Sequence, residues 1–230
     1  MSETIFRGGN LVVAWVSLVC LPFLASCAAT GTKEDAGSSV RAAESTLTNF
    51  ANDPEMIWMH AHIKDAKAVL VSPRIIKAGL IFGGSGGSGV LMVREGGGWA
   101  GPAFYNIAGA SFGFQAGAEA SEMVALVMSD QALNSLMSIS FKLGGDVSVA
   151  AGPVGIGASA PVNADMVIFS RSKGLYGGLN IDGSVISTDD TGNKSFYGRA
   201  ATAVDILIKR NVSSPDSASI QRTMSTVTAK

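Results

Sequence analysis

Residues suited to catalysis or metal binding are few in this sequence. His60 and His62 are the only histidines, and both fall in a segment with helical periodicity. Residues two apart point to different faces of a helix, so this pair cannot chelate one metal ion from there. No Gly-x-Ser-x-Gly turn leads from a strand into a helix near a partner, which argues against a serine hydrolase. We predict surface or edge histidines, no metal site and no catalytic site, with Asp189 and Asp190 solvated in a turn.

A glycine-rich stretch at 84–89 matches the G-x-G-x-x-G pattern of dinucleotide-binding loops. The residues that follow, 90–93, are Val-Leu-Met-Val, which predicts a strand. The helix N-terminus that would hold a pyrophosphate is therefore missing, and no Lys-Ser or Lys-Thr follows to make a Walker loop. We predict a glycine hairpin at this position, no nucleotide and no other cofactor.

Thiol chemistry is concentrated at the N-terminus, where Cys20 and Cys27 are the only cysteines. Cys27 follows Leu-Ala-Ser, a sequence that resembles the lipobox of bacterial lipoproteins, in which the cysteine is acylated and the bond before it is cleaved. The apolar run before it is about 15 residues long, shorter than the about 20 that span a bilayer. We predict a signal peptide over 1–26 and acyl chains such as palmitate on Cys27. The alternative is an ordinary signal peptide with a chance cysteine.

Composition limits the mature chain to a small set of classes. The sequence is 47% hydrophobic and 15% charged, with a net charge of −1. About 200 mature residues suit one domain, or at most two, and with no thiol left the fold depends on its core alone. The balanced charge provides no global basic field for nucleic acid. We predict a lipidated flexible tether over 27–39, a single domain over 40–230, and no nucleic-acid partner.

Helical spacing of apolar residues marks both ends of this domain. At the N-terminal end one helix is predicted from Val40, and a second from Asp53 as N-cap with Pro54 at its first position. At the C-terminal end one apolar helical face runs over 196–207, and another helix starts at 214–215.

Between the helices, short apolar runs alternate with glycines and turn residues, which is typical of an antiparallel sheet or barrel. One helix, with Asp130 as N-cap, is inserted over 130–137. The order predicts an α+β fold with an antiparallel, Gly-rich sheet or barrel-like core flanked by helices. Gly109, Gly113 and Gly117 would leave room on one face for a packed helix or bent sheet, or for a ligand. The predicted strands are 67–71, 76–83, 88–95, 103–109, 111–118, 123–128, 145–151, 164–171, 174–181 and 183–188.

Several motifs in this middle region resemble those of the SYLF domain in order and spacing. They lie at 76–84, 89–94, 98–104, 113–118, 143–155 and 170–179, and the resemblance covers roughly 44–228. It implies lipid binding, because eukaryotic SYLF proteins bind phosphoinositide membranes with the help of an N-terminal amphipathic helix. The yeast relatives also bind actin, and bacterial members are commonly lipoproteins or exported proteins.

Two departures limit what this resemblance implies for the chain. The N-terminal helices carry only Arg41, Lys64 and Lys67, and each cation near a membrane contributes roughly 1 kcal/mol. Ile156 stands where the family often has a basic residue after Gly-Pro-Val-Gly. Trp99 is either an interfacial anchor or a core residue. Candidate headgroup contacts are the cations near the matched motifs: Lys67, Arg74, Lys77, Arg94, Arg171 and Lys173.

The leading hypothesis is a non-catalytic lipid-binding lipoprotein of the cell envelope that contacts phospholipid or phosphoinositide headgroups. The alternative is a structural or protein-interaction lipoprotein with an unknown protein partner, and a hydrolase with an unfamiliar site ranks third. Ala28 follows the lipidated cysteine where Asp would favour the inner membrane. We therefore expect the outer membrane of a Gram-negative bacterium.

Overall fold

The computed structural model of the protein describes residues 31–79, 82–112, 117–155, 163–172, 175–176 and 183–229. Within these ranges, nine strands form one curled, mostly antiparallel sheet flanked by helices, which confirms the α+β prediction. The strands are β1 (Ala68–Gly79), β2 (Phe82–Glu95), β3 (Gly98–Phe112), β4 (Gly117–Val127), β5 (Ser140–Lys142), β6 (Val149–Ala151), β7 (Met166–Ser172), β8 (Leu175–Tyr176) and β9 (Val185–Thr188). The helices are α1 (Lys33–Ala51), α2 (Ile57–His62), α3 (Asp130–Leu136), α4 (Asp190–Tyr197), α5 (Ala203–Leu207) and α6 (Ala218–Thr228), the last after a 3₁₀ turn (Pro215–Ser217).

The strand order is β5-β9-β3-β2-β1-β4-β7-β6, with β8 also paired to β7. Side chains alternate between the two faces of the sheet, so the long strands β1, β2, β3, β4 and β7 each contribute to two hydrophobic clusters. Val71, Met92 and Phe104 pack with α1, α2, α4 and α6 on what we call the α1 face. Leu70 and Tyr105 pack with α3 and α5 on the opposite face.

Helix α1 begins at Lys33 rather than Val40, so the predicted flexible tether was wrong from Lys33 onward. A capping box fixes this start: the backbone N–H of Asp35 donates to Thr32 Oγ1 at 3.1 Å, and Thr32 N–H donates to Asp35 Oδ2 at 3.2 Å. Reciprocal bonds of this kind satisfy two amides that a helix start otherwise leaves unpaired. Ala36, inside the predicted tether, is fully buried.

Two other helix starts also differ from the prediction. Asp53 caps a turn, accepting from Glu55 N–H at 3.0 Å, and α2 begins only at Ile57. Helix α3 is capped by Ser129 instead of Asp130, with Ser129 Oγ accepting from an amide of the first turn. Sequence alone does not separate two adjacent residues that are both good N-caps.

The C-terminal helices are shorter than their apolar pattern suggested. The predicted face over 196–207 is divided between α4 and α5, because Gly198 adopts a φ of +69° and ends α4. The start at Ser214-Pro215 is confirmed. Asp189 is buried and caps α4 by accepting from Gly192 N–H at 2.9 Å, so its predicted solvation was wrong.

The glycine-rich stretch at 84–89 lies inside β2 and is not a hairpin. Strand β1 bulges at 72–74, which interrupts the apolar alternation and explains why it was predicted as two strands. A Cβ on Gly87 would lie 2.6 Å from the Arg74 carbonyl oxygen, and one on Gly89 would lie 2.8 Å from that of Val71. These glycines therefore let β2 pass close to the bulge.

Candidate functional site

The helices on the α1 face stop at a row of polar residues that crosses six strands. The row consists of Ser187, Asn106, Ser88, Arg74, Glu122 and Arg171, which the strand register places side by side. Directly opposed residues of antiparallel strands lie on the same face, so the next rows can be read from the same pairing. Beyond the polar row, the α1 face carries small and apolar side chains in each successive row of paired residues.

We call this bare part of the α1 face the distal face. It consists of Ile76, Ala78, Ala108, Ala110, Ala118, Ala120 and Val185, all exposed, together with Gly84 and Gly86. Ile76 opposes Gly86 on β2 and Ala120 on β4, and Ala78 opposes Ala118 in the next row. Ile76 is 43% exposed and Val185 41%, so neither is covered by a helix of the described fold.

The other side of these strand ends is polar. Lys77 opposes Ser85 on β2 and Glu119 on β4, and all three belong to the face opposite the α1 face. A Cβ on Gly109 would lie 2.5 Å from Ser184 Oγ and 2.7 Å from Ser85 Oγ. The space that Gly109 leaves is therefore filled by two hydroxyl side chains, whereas Gly113 lies outside the described residues. The distal part of the sheet is amphipathic.

Arg171, at one end of the polar row, holds α1 to the sheet. Its Nε and Nη2 donate to Glu122 Oε2 at 3.1 and 2.6 Å, and Asp53 lies 3.9 Å away. The guanidinium stacks 5.1 Å from the ring centre of Phe50, and Thr46 Oγ1 donates to Glu122 Oε1 at 3.0 Å. This predicted headgroup contact is thus committed to contacts within the fold.

Arg94 is committed in the same way at the other end of the sheet. Its Nε donates to Ala66 O and its Nη2 to Ile63 O, both at 3.0 Å, and the guanidinium lies 4.5 Å from the ring centre of Trp99. Burial lowers the pKa of Arg94, and the charge of Asp65 opposes that shift. Trp99 is only 8% exposed, which supports the core alternative for that residue.

The six predicted headgroup contacts do not form one cluster. Lys67 pairs with Asp130 at 2.8 Å and lies beside Arg94, whose N–H donates to the Lys67 carbonyl. Arg74 and Lys77 lie farther along β1, roughly 20–30 Å away at 3.3 Å per residue. Within the described ranges, no salt bridge involves Arg74 or Lys77. Lys173 and Cys27 lie outside the described residues, and the lipidation of Cys27 stays a prediction.

Replacing Arg94 tests whether its role is structural. We expect Arg94→Ala to lower the free energy of unfolding by about 2 kcal/mol, because two buried carbonyls lose a charged donor and Trp99 loses its stacking partner. Urea denaturation gives this value. In the matched variant Arg222→Ala the lost side chain is exposed on α6, and we expect a change below about 0.5 kcal/mol. Equal effects in both variants would contradict the structural role.

Both histidines contact backbone carbonyls near α2. His60 Nε2 lies 3.3 Å from Phe50 O, and His62 Nδ1 lies 2.8 Å from Trp58 O, with the His62 ring stacked 3.9 Å from Trp58. In the part of the chain that the structure describes, no three metal-ligating side chains come together. None of the helices in that part is both long and apolar enough to cross a membrane.

The chain matches a known protein family. The profile of the Ysc84 family, described as Las17-binding protein actin regulator, matches residues 108–229, just over half of the chain. The chain belongs to the Ysc84 family. The SYLF resemblance is thereby confirmed, and the matched residues run from β3, within the distal face, to the end of α6.

Curated relatives agree with the Ysc84 assignment. Protein YSC84 of Saccharomyces cerevisiae is 36% identical over 156 residues, covering 64% of this chain and 33% of that protein. SH3 domain-containing YSC84-like protein 1 of Bos taurus is 32% identical over 170 residues, covering 71% of this chain and 50% of that protein. The chain thus spans between a third and a half of these relatives. The family and the relatives are named as regulators or by their domains, and none of these names is that of an enzyme.

Proposed function

We propose that this chain is a non-catalytic lipid-binding domain of the cell envelope, anchored by acyl chains on Cys27. The observation that carries the proposal is the distal face, an exposed set of apolar side chains next to Arg74. Exposed apolar patches rimmed by polar residues are typical of membrane and protein interaction sites. In this arrangement Ile76 and Val185 meet the bilayer and Arg74 contacts a headgroup phosphate.

The chemistry of the distal face fits a weak second contact better than an independent anchor. Alanine side chains offer little apolar area, and a single cation near anionic lipid contributes only about 1 kcal/mol. Stable membrane attachment usually takes two signals, and the acyl chains would supply the stronger one. The outer membrane is the proposed location, since Ala28 follows Cys27.

A second candidate function is a structural or protein-interaction lipoprotein. The family description, Las17-binding protein actin regulator, favours it, because that name assigns a protein partner to family members. An exposed sheet face of small and apolar residues also suits a protein surface. In this alternative the acyl chains on Cys27 are the sole lipid contact.

Co-sedimentation of residues 28–230 with neutral, anionic and phosphoinositide vesicles tests the proposal. Arg74 and Lys77 are three residues apart on β1 and belong to opposite faces, so Arg74→Glu and Lys77→Glu make the same change in net charge at matched sites. We expect Arg74→Glu to weaken binding to anionic vesicles about 30-fold, from about 2 kcal/mol of reversed charge, and Lys77→Glu to weaken it much less. Ile76→Asp should weaken binding to every vesicle type.

The outcomes separate the two candidate functions. Equal weakening by Arg74→Glu and Lys77→Glu would mean that net charge, and not the distal face, governs binding. An absence of binding to all three vesicle types would remove the lipid-binding proposal. The protein-interaction alternative would then stand.

A further inference from the structure

The capping box at Thr32 shortens the link between the proposed lipid and the fold. Helix α1 begins at Lys33, and Gly31 and Thr32 belong to the described structure, so only residues 28–30 separate Cys27 from it. A chain spans at most about 3.5 Å per residue, which places Thr32 within about 17 Å of the Cys27 Cα. A bilayer that holds acyl chains on Cys27 must therefore lie close to the start of α1.

The start of α1 borders a groove of about 770 Å³ between α4 and the N-terminus of α5. Lys33 and Lys194 line the groove beside Gly31, and both are exposed. Lys33 pairs with Asp216 at 3.2 Å, whereas no salt bridge in the described ranges involves Lys194. Asp205, on the same side, is held by Thr202 and by Lys209. Lys194 is thus available to an anionic partner.

An exposed isoleucine lies near the start of α4, whose first residues line this groove. Ile139 is 84% exposed, the highest value among the exposed large hydrophobic side chains of the described fold. Its carbonyl accepts from Thr188 N–H at 3.1 Å, one residue before the N-cap of α4. The adjoining strand pair β5–β9 adds the exposed Lys142 opposite Val185. We call Gly31, Lys33, Ile139, Lys142, Val185 and Lys194 the tether-side surface.

We propose that the tether-side surface lies on the bilayer that holds the acyl chains of Cys27. Ile139 enters the interfacial region, and Lys142 and Lys194 contact headgroup phosphates. The inference rests on the proposed lipidation, and it adds which side of the domain meets the membrane. Val185 belongs to both this surface and the distal face, so the two surfaces adjoin.

Two observations that do not depend on each other point to the same side. The short link limits where the bilayer can be, and the most exposed large apolar side chain of the described fold lies near the start of α4, which shares a groove with Gly31 and Lys33. Aliphatic side chains next to cations suit the membrane interface, where the apolar part enters and the charge stays with the headgroups.

Single-cysteine labelling of the lipidated protein tests this orientation. Cys20 leaves with the signal peptide and Cys27 is acylated, so an introduced cysteine is the single free thiol. An environment-sensitive fluorophore is placed at Ile139→Cys or at Ala61→Cys, an exposed position of α2 beyond the far end of α1. Helix α1 has 19 residues and is about 28 Å long, which separates the two sites. The proteins are reconstituted in phosphatidylcholine–phosphatidylglycerol vesicles containing spin-labelled lipid.

We expect lipid quenching several-fold stronger at residue 139 than at residue 61. Equal quenching, or stronger quenching at 61, would overturn the inference. In a second arm the fluorophore is carried by Lys194→Cys, and Ile139→Asp in that background should reduce its quenching. Quenching unchanged by Ile139→Asp would also overturn it.

Failure of the underlying proposal gives a different signal. Mass spectrometry of the protein purified from bacterial membranes reports lipidation of Cys27 directly. A chain without the added mass of acyl groups at Cys27 would remove the anchor and this inference with it. Loss of vesicle binding by the unlipidated domain, with position-dependent quenching retained in the lipidated protein, would remove the distal-face proposal and support the tether-side surface.

Discussion

Replacing Gly101 with alanine is expected to lower the free energy of unfolding by about 4 kcal/mol. The residue has a φ of +117°, a region that costs a residue with a side chain about 1–3 kcal/mol. An added Cβ would also lie 2.8 Å from the Leu91 carbonyl oxygen and 3.1 Å from side-chain atoms of Leu207 and Met92. The Leu91 oxygen belongs to the backbone, so β2 would have to move away from Gly101. The Leu207 side chain of α5 would have to shift as well. Urea denaturation measures the loss.

Gly97 supplies the matched control for this variant. It has a φ of +85°, yet an added Cβ would meet nothing within 4 Å. Gly97→Ala should therefore cost only the conformational term, about 1–2 kcal/mol. Equal losses at the two positions would show that close packing at Gly101 contributes nothing.

Arg171→Ala is expected to cost about 2–3 kcal/mol of the free energy of unfolding. The change leaves Glu122 and Asp53 without their shared cation and exposes the ring of Phe50. Breaking a fully buried ion pair costs about 3–5 kcal/mol, and the smaller figure reflects partial exposure. The Arg171 side chain is 19% exposed and that of Glu122 30%. Thermal and urea unfolding both report the change.

Replacing Arg171 with lysine separates the contribution of the positive charge from that of the hydrogen-bond geometry. Arg171→Lys keeps the cation but loses the two-pronged contact with Glu122, so it should recover about half of the lost stability. Vesicle binding of Arg171→Lys, measured below its unfolding transition, should equal that of the unchanged protein. A selective loss of binding with stability preserved would instead restore Arg171 as a headgroup contact.

Helical periodicity predicted the parts of the fold whose apolar residues face one core. Val40, where the first N-terminal helix was predicted, and Phe196, on the apolar face predicted over 196–207, are both buried. The inserted helix and the Ser214-Pro215 start are likewise local signals that tertiary contacts did not alter. The start of α1 was missed because Gly37, Ser38 and Ser39 weaken its pattern, although Thr32 and Asp35 provided a readable capping box.

The strand limits could not be read from the sequence for a physical reason. Residues 84–88 carry no apolar alternation, yet they pair on both sides because neighbouring strands supply the hydrogen bonds. Glycine appears there to accommodate the β1 bulge, a requirement set by residues 72–74 of another strand. The need for glycine at such a position can therefore be recognised only when the pairing register of the strands is known.

The candidate site, too, could be predicted only in part from the sequence. Sequence identified the cations, but Arg94 binds carbonyls of Ile63 and Ala66, and Arg171 binds Glu122 across β4 and β7. These partnerships connect residues distant in the chain and could not be inferred from spacing. The distal face was missed altogether, although alanine recurs at every second position over 108–110 and 118–120, which is the period of a strand.

Where the helical layer ends, the sheet changes from an interior to a surface within single strands. In β1, the segment around Val69 is buried under α1, whereas Ile76 and Ala78 are exposed. We expect amide hydrogens near Val69 to exchange with solvent only when the whole domain unfolds, because their release breaks the packed core. Those near Ala78 are expected to exchange through local opening of the strand ends. Strand β1 therefore joins a rigid, buried segment to an exposed segment whose conformation can adjust to a binding partner.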